Sequence, residues 1–316
     1  MWPATRAVLR FEGTQLDVDL AQTDGYGGGP SYFDVLLDGA VLPAPLIVPK
    51  GAHAFTVAKN LSNTVHAVEL VKRTEARHGV VQVVGWRFPT GGRLLSPPPA
   101  LTRRIEVISN SAMTGYGMEG SSPECPGGAN VYNARKSAPN LAAEALRADL
   151  SFVGYSGKGV THNNFPGDND FFPILWQRAS PDNAALGAAP VVVPDALVLV
   201  ASGLDAEQSD AMMTRGYTDF VATIRATYPT SHLFLVNPAS NSDDWPVGQQ
   251  TRSRFNTLFQ KVAAQRAVAG DSKVYAYAMT ESANGQASGC DYHPGAALQA
   301  EMAGQLEAWV RVRLGW

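Results

Sequence analysis

Residues 103–120 read RRIEVISNSAMTGYGMEG, and the rest of the chain is best read outward from them. Ile105, Val107 and Ile108 form a short β-branched run of the kind that builds a strand buried on both faces. Ser109, Asn110 and Ser111 follow, small polar residues suited to a tight turn. Gly115 and Gly117 then let the backbone approach a neighbour closely. The pattern predicts a strand, a turn with Ser111 at its tip, and a helix. A serine at the carboxyl end of a strand, beside a helix N-terminus, has backbone N–H groups at hand for a developing oxyanion. Taken alone, the same residues also describe a serine-rich loop that caps a helix.

Downstream of this stretch, apolar strands alternate with helical segments. SAPNLAAEALRADL (137–150) has the alanine and leucine content of a helix. SFVGYSG (151–157) is the next strand, and VVVPDALVLVASG (191–203) is a near-continuous apolar run. A helix over Met212, Met213, Tyr217, Phe220, Val221 and Ile224 precedes the strand HLFLVNP (232–238). A helix carrying Phe255, Leu258, Phe259 and Val262 precedes VYAYAM (274–279), and a last helix sets Leu298, Met302, Leu306 and Trp309 on one face. Such alternation predicts an α/β fold, a parallel sheet with helices on both sides. Ligands of these sheets bind at the carboxyl ends of the strands, where the loops bearing Ser111, Gly157, Leu204 and His293 should gather.

Upstream, the character changes. LDVDL (16–20), YFDVLLDG (32–39), AFTVA (54–58), HAVELVKR (66–73) and VVQVVGWRF (80–88) are short, often alternating runs rich in valine, leucine and aromatic residues. Asp38-Gly39 between two apolar runs is a hairpin signal. No helical period is sustained here, so residues 1–98 are expected to form an all-β sandwich, jelly-roll-like in kind. The three prolines in SPPPALTRR (96–104) make a stiff connector, and residues 99–316 form the α/β domain.

Composition narrows the function. The 316 residues are 45% hydrophobic, enough for a large core, and the net charge of −3 gives no reason to expect a nucleic acid or an anionic membrane as partner. No apolar run is long enough for a bilayer-spanning helix. Met1 leads into WPATRAVLRF without a basic segment followed by an apolar one, so no secretory signal is visible. Cys125 and Cys290 fit no metal motif, and the six histidines show no paired ligand spacing, so neither a metal nor a cofactor is called for. Two free thiols or one disulfide are both open for the cysteines.

Four blocks then stand in one order: SNSAMTGYG with Ser111, YSGKGV with Gly157, SGLD after PDALVLVA, and CDYHP with His293. In this order the chain resembles the SGNH (GDSL-type) hydrolases, and its two-part layout resembles carbohydrate esterase family 2 within them. The resemblance implies a three-layer α/β/α catalytic domain after a β-sandwich that could add to carbohydrate binding. It implies Ser111 as nucleophile, His293 as its base, Asp291 as the group that orients the imidazole, and the N–H groups of Ser111 and Gly157 as the oxyanion hole. It further implies an acetylated polysaccharide or oligosaccharide as substrate and a secreted or periplasmic location. Trp245 and Tyr292 are candidate aromatic faces for sugar rings. Trp176, in an apolar run, reads as core, and Lys158 as a solvated lysine.

The departures from the family pattern are specific. Ser109 and Asn110 stand where the first block has glycine and aspartate. Leu204 stands where the third block has an asparagine that donates to the oxyanion, a loss typically worth about 100- to 1000-fold in rate unless Ser202 or a backbone N–H substitutes. Cys290 takes the usual triad-aspartate position, leaving Asp291, or else a Ser-His dyad oriented by a backbone carbonyl. If the loops of Cys125 and Cys290 meet, a disulfide would tie the histidine loop to the serine loop in an oxidising compartment. The same residues allow a catalytically weakened carbohydrate-binding homologue, or an acyltransferase to sugar hydroxyls.

Overall fold

The computed structural model describes residues 1–182, 187–188, 192–281 and 288–316. Its first 95 residues hold nine strands: β1 (Arg6–Gly13), β2 (Leu16–Gln22), β3 (Ser31–Leu37), β4 (Ala40–Val41), β5 (Leu46–Val48), β6 (Gly51–Ala58), β7 (Thr64–Lys72), β8 (Val81–Arg87) and β9 (Arg93–Leu95). One sheet runs β4-β3-β7-β1-β9 with β5 against β3, and a second runs β6-β2-β8; their pairings are antiparallel. Along β2, Leu16, Val18 and Leu20 are buried while Asp17 and Asp19 between them are half exposed, the period of two that a strand imposes. These side chains share a core with Phe11, Phe33, Val35, Val68 and Leu70 of the other sheet. Asp38 and Gly39, with φ of 51° and 82°, form the two-residue turn between β3 and β4 that the sequence signals. The strand β1 is absent from the sequence reading, because Arg6, Arg10 and Glu12 interrupt its apolar pattern; it pairs with β7 along its whole length.

The α/β part carries β10 (Arg103–Ser109), β11 (Ala148–Gly154), β12 (Ala196–Val200), β13 (His232–Asn237) and β14 (Val274–Ala278) in one parallel sheet of order β11-β10-β12-β13-β14. Both faces are covered. Ile108, Leu197, Leu199, Leu233 and Leu235 pack with α3 (Asp210–Thr227) and α4 (Thr251–Val268), and Val107, Val198, Phe234 and Val236 pack with α1 (Ala138–Leu146) and α5 (Ala296–Leu314). A single further turn of helix, α2, spans Phe172–Leu175. The order reverses at β10, which has β11 on one side and β12 on the other. The loop after β10 therefore opens at the switch point of the sheet, the usual ligand position in such folds.

Three boundaries differ from the sequence reading. No helix follows Ser111: residues 111–119 form consecutive turns, and the first α-helix begins at Ala138. Gly115 and Gly117 have φ of 77° and 70°, and a Cβ on either would meet the carbonyl oxygen of Asn133 or Cys290 at 2.5 or 2.4 Å. Left-handed residues pressed against two other segments cannot wind into a helix. The helix expected over 137–150 stops at Leu146, because Arg147 is left-handed, and β11 starts at Ala148. Of the apolar run 191–203, residues 196–200 are strand, Gly203–Glu207 form a 3-10 turn, and residue 191 lies outside the described residues.

Candidate active site

Ser111 lies directly after β10, half exposed, on a turn fixed from below. Asn110 accepts from the Ala112 N–H through Oδ1 (3.0 Å) and donates through Nδ2 to the Ser202 hydroxyl (2.8 Å). Asparagine at this unusual position thus closes the serine turn and ties it to the end of β12.

The histidine turn is laid against the serine loop. The N–H groups of Cys290, Asp291 and Tyr292 donate to the carbonyls of Gly117, Cys125 and Pro123 at 2.8, 2.8 and 3.1 Å. Cys125 and Cys290 form a disulfide, so the paired alternative for the cysteines is the one realised. The His293 ring packs edge-on against Tyr116, five residues past Ser111, with centroids 4.3 Å apart.

The group that orients His293 is a correction to the expected Asp291 carboxylate. Asp291 and Tyr292 are both left-handed, with φ of 54° and 55°, which brings the Asp291 carbonyl to 2.6 Å from His293 Nδ1. The Asp291 carboxylate instead accepts from the Tyr116 hydroxyl at 2.9 Å. With Nδ1–H donated to a carbonyl, Nε2 carries the free lone pair. Burial pushes the His293 pKa below its ordinary 6.5, opposed by the Asp291 carbonyl and charge, so the ring is neutral at neutral pH. Burial and the neighbouring Asp291 carboxylate push the Tyr116 phenol up to about 12, so it stays a donor.

The segment around Gly157 is held at both ends. Before it, the Ser156 N–H and hydroxyl donate to Glu75 at 2.8 and 2.5 Å. After it, the fully buried Asp205 accepts from the N–H groups of Val160, Thr161 and His162, from the Thr161 hydroxyl and from Tyr217, all at 2.7–3.0 Å. Burial pushes the Asp205 carboxyl up and these donors hold it down. Gly157 itself has φ of 80° and, like Ser111, donates its N–H to no backbone carbonyl among the described residues. Glu75 and Asp205 escaped the sequence reading. One comes from the segment just past β7, and the other closes the SGLD block read for Leu204.

Two expectations for neighbouring side chains also change. The Ser202 hydroxyl donates to the Lys158 carbonyl at 3.0 Å, so its proton is engaged. Lys158 is buried rather than solvated, and its ammonium pairs with Asp168 at 2.5 Å. Trp176 is core as expected, its indole N–H donating to buried Glu106 at 2.5 Å. Trp245 and Tyr292 are exposed, the first in the loop after β13 and the second beside His293. Two further exposed aromatics, Tyr26 and Phe165, meet edge-to-face at 6.3 Å; Phe165 is within 4 Å of where a Gly157 Cβ would stand. Their spacing of 139 residues hides this pairing from sequence. Among the described residues no group of three or more His, Cys, Asp or Glu side chains could hold a metal.

Residues 1–98 match the family described as carbohydrate esterase 2 N-terminal. The chain as a whole resembles carbohydrate esterases of that family. It is 29% identical, over its full length, to the cellulase/esterase CelE of Acetivibrio thermocellus, and spans 38% of that protein. It is 25% identical over its full length to the acetylxylan esterase / glucomannan deacetylase of Cellvibrio japonicus, of which it spans 84%. Among solved structures, a family two carbohydrate esterase from Clostridium thermocellum in complex with cellohexaose superposes with a TM-score of 0.89 at 27% identity, covering all of this chain and 94% of that one. A carbohydrate esterase family 2 enzyme plus carbohydrate-binding domain from Corynascus thermopiles (Myceliophthora fergusii) gives 0.85 at 26%, covering all of this chain and 95% of that one.

Proposed function

We propose that this protein is a serine-dependent carbohydrate O-acetylesterase, with a jelly-roll-like sandwich over residues 1–98 and a three-layer catalytic domain over residues 99–316. The observation that carries the reading is the histidine turn: His293 presents a neutral ring with Nδ1 occupied, on a segment bonded and cross-linked to the loop of Ser111. In this reading His293 Nε2 takes the proton of Ser111 as the hydroxyl attacks an acetyl carbonyl, and returns it to the leaving sugar hydroxyl. Water then resolves the acetyl-enzyme. The Ser111 and Gly157 N–H groups receive the oxyanion, and the Asp291 carbonyl supports the imidazolium that forms. Trp245, Tyr292, Tyr26 and Phe165 offer aromatic faces for sugar rings. A disulfide suits an oxidising compartment, consistent with a secreted or periplasmic esterase.

The substrate proposed is an acetylated plant-type polysaccharide or its oligosaccharides. Hydrolysis of an activated aryl acetate tests the reaction: wild type should turn over, and Ser111→Ala should lose on the order of 10⁴-fold or more in kcat with an unchanged circular dichroism spectrum. Equal traces for the two proteins would overturn the esterase reading. One observation favours a second reading, a weakened homologue that binds carbohydrate. With Leu204 unable to donate and the Ser202 proton engaged, the oxyanion lacks a side-chain donor from the third block. Tight binding of a cello-oligosaccharide without turnover would favour that alternative.

A further inference from the structure

The carboxylate that holds Ser156 comes from outside the α/β part. Glu75 sits just past β7, in the segment Lys72–His78 that leaves the N-terminal sheets, and is fully buried. Its two oxygens take the N–H and the hydroxyl of Ser156, the residue before Gly157. The segment that presents it is itself anchored. The buried Lys72 ammonium donates to the carbonyls of Thr74 and Glu75 at 2.8 and 2.9 Å, and the Arg73 guanidinium donates to the Tyr132 carbonyl at 3.1 Å. From Ser156 to His162, the N–H groups of residues 156, 159, 160, 161 and 162 are all taken by Glu75, Asn163 or Asp205. That leaves the direction of the Gly157 N–H set by the peptide plane that follows Ser156.

We propose that Glu75 is a positioning residue for the oxyanion hole, so that the N-terminal β part supplies a working piece of the catalytic site rather than only a surface for carbohydrate. Glu75 touches neither substrate nor nucleophile; it acts by fixing Ser156 and thereby the Gly157 N–H. This rests on the esterase reading above. A donor displaced by a fraction of an ångström is weakened in the transition state more than in the ground state, so the effect belongs in kcat rather than in KM.

The test uses the full chain with an activated aryl acetate, and with methylboronic acid as a probe that forms a tetrahedral anion on a serine. Glu75→Gln, which keeps one acceptor for Ser156, should lower kcat about tenfold at unchanged KM. Glu75→Ala should lower it about 100-fold, on the scale of misplacing one donor. In both, the boronate inhibition constant should rise by the same factor as kcat falls. A merely destabilised enzyme would lose active molecules without changing that constant. Should Glu75→Ala fail to fold, Glu75→Gln and Ser156→Ala carry the test, and Ser156→Ala should raise the constant severalfold. Wild-type kcat and an unchanged boronate constant in Glu75→Gln and Ser156→Ala would overturn the proposal while leaving the esterase reading intact. A wild type that neither hydrolyses nor binds boronate would overturn both.

Discussion

At the scale of the residue, His293 is held by a main-chain oxygen, and the consequence is measurable. In a carboxylate triad, replacing the acid by its amide lowers kcat by about 10⁴. Here Asp291→Asn leaves the carbonyl at Nδ1 in place, so steady-state kinetics should show a loss of less than about tenfold. A loss above about 1000-fold would mean that the carboxylate orients the ring after all. The pH profile gives a second check. With His293 as the proposed base, which must be neutral, activity should fall as pH drops through its pKa, and burial should set the midpoint of that acid limb below 6.5. The charge of Asp291 raises this pKa. In Asp291→Asn the limb should therefore move to still lower pH, and movement to higher pH would contradict the assignment.

At the scale of the element, the serine and histidine segments of the candidate site are turns without regular structure of their own, so their shape depends on each other. Three backbone bonds and one disulfide join them, and the disulfide closes a sequence separation of 165 residues. The chain-entropy account gives about 5 kcal/mol for so long a loop, and measured values more often fall at about 2–4 kcal/mol. Cys125→Ser with Cys290→Ser should accordingly lower Tm by roughly 5–15 °C in a thermal melt, the shift expected for a domain of this size. A change under about 1 °C would show that the backbone bonds alone hold the turns together. Alkylation of denatured, unreduced protein should label neither cysteine.

At the scale of the molecule, the two parts share buried charges. Arg73, just past β7, lies 3.6 Å from Asp34 in β3 and 3.5 Å from Glu119 in the serine loop, and Arg135, shortly before α1, bonds Asp34 at 2.6 Å. Groups of this kind are strongly unfavourable when only one partner is present, by about 3–5 kcal/mol for a buried pair. Separation of the two parts would expose or orphan them. Calorimetry of the intact chain should therefore show one cooperative transition, and Arg73→Ala should lower its midpoint by several degrees without splitting it. Two well-separated peaks would show that the N-terminal sheets and the α/β part unfold independently.

Much of this was legible in the chain itself. Period-two alternation marked β2 and β7, near-continuous apolar runs marked β10 and β12, and Asp38-Gly39 marked its hairpin, because each is a local consequence of which side chains a strand must bury. The order of the blocks around Ser111, Gly157 and His293 was equally local, as was the departure at Leu204. The absence of a helix after Ser111, the carbonyl at His293 Nδ1, the engagement of Ser202 and the reach of Glu75 were decided by tertiary contact. Gly115 and Gly117 are pinned by distant carbonyls, and which oxygen of Asp291 meets the imidazole depends on a left-handed backbone that no residue preference dictates. Glu75 and Ser156 meet across 81 positions of sequence. Sequence determined which groups exist and which surfaces are buried; only the packing of two folded parts decided where the donors and acceptors left over from local structure would find their partners.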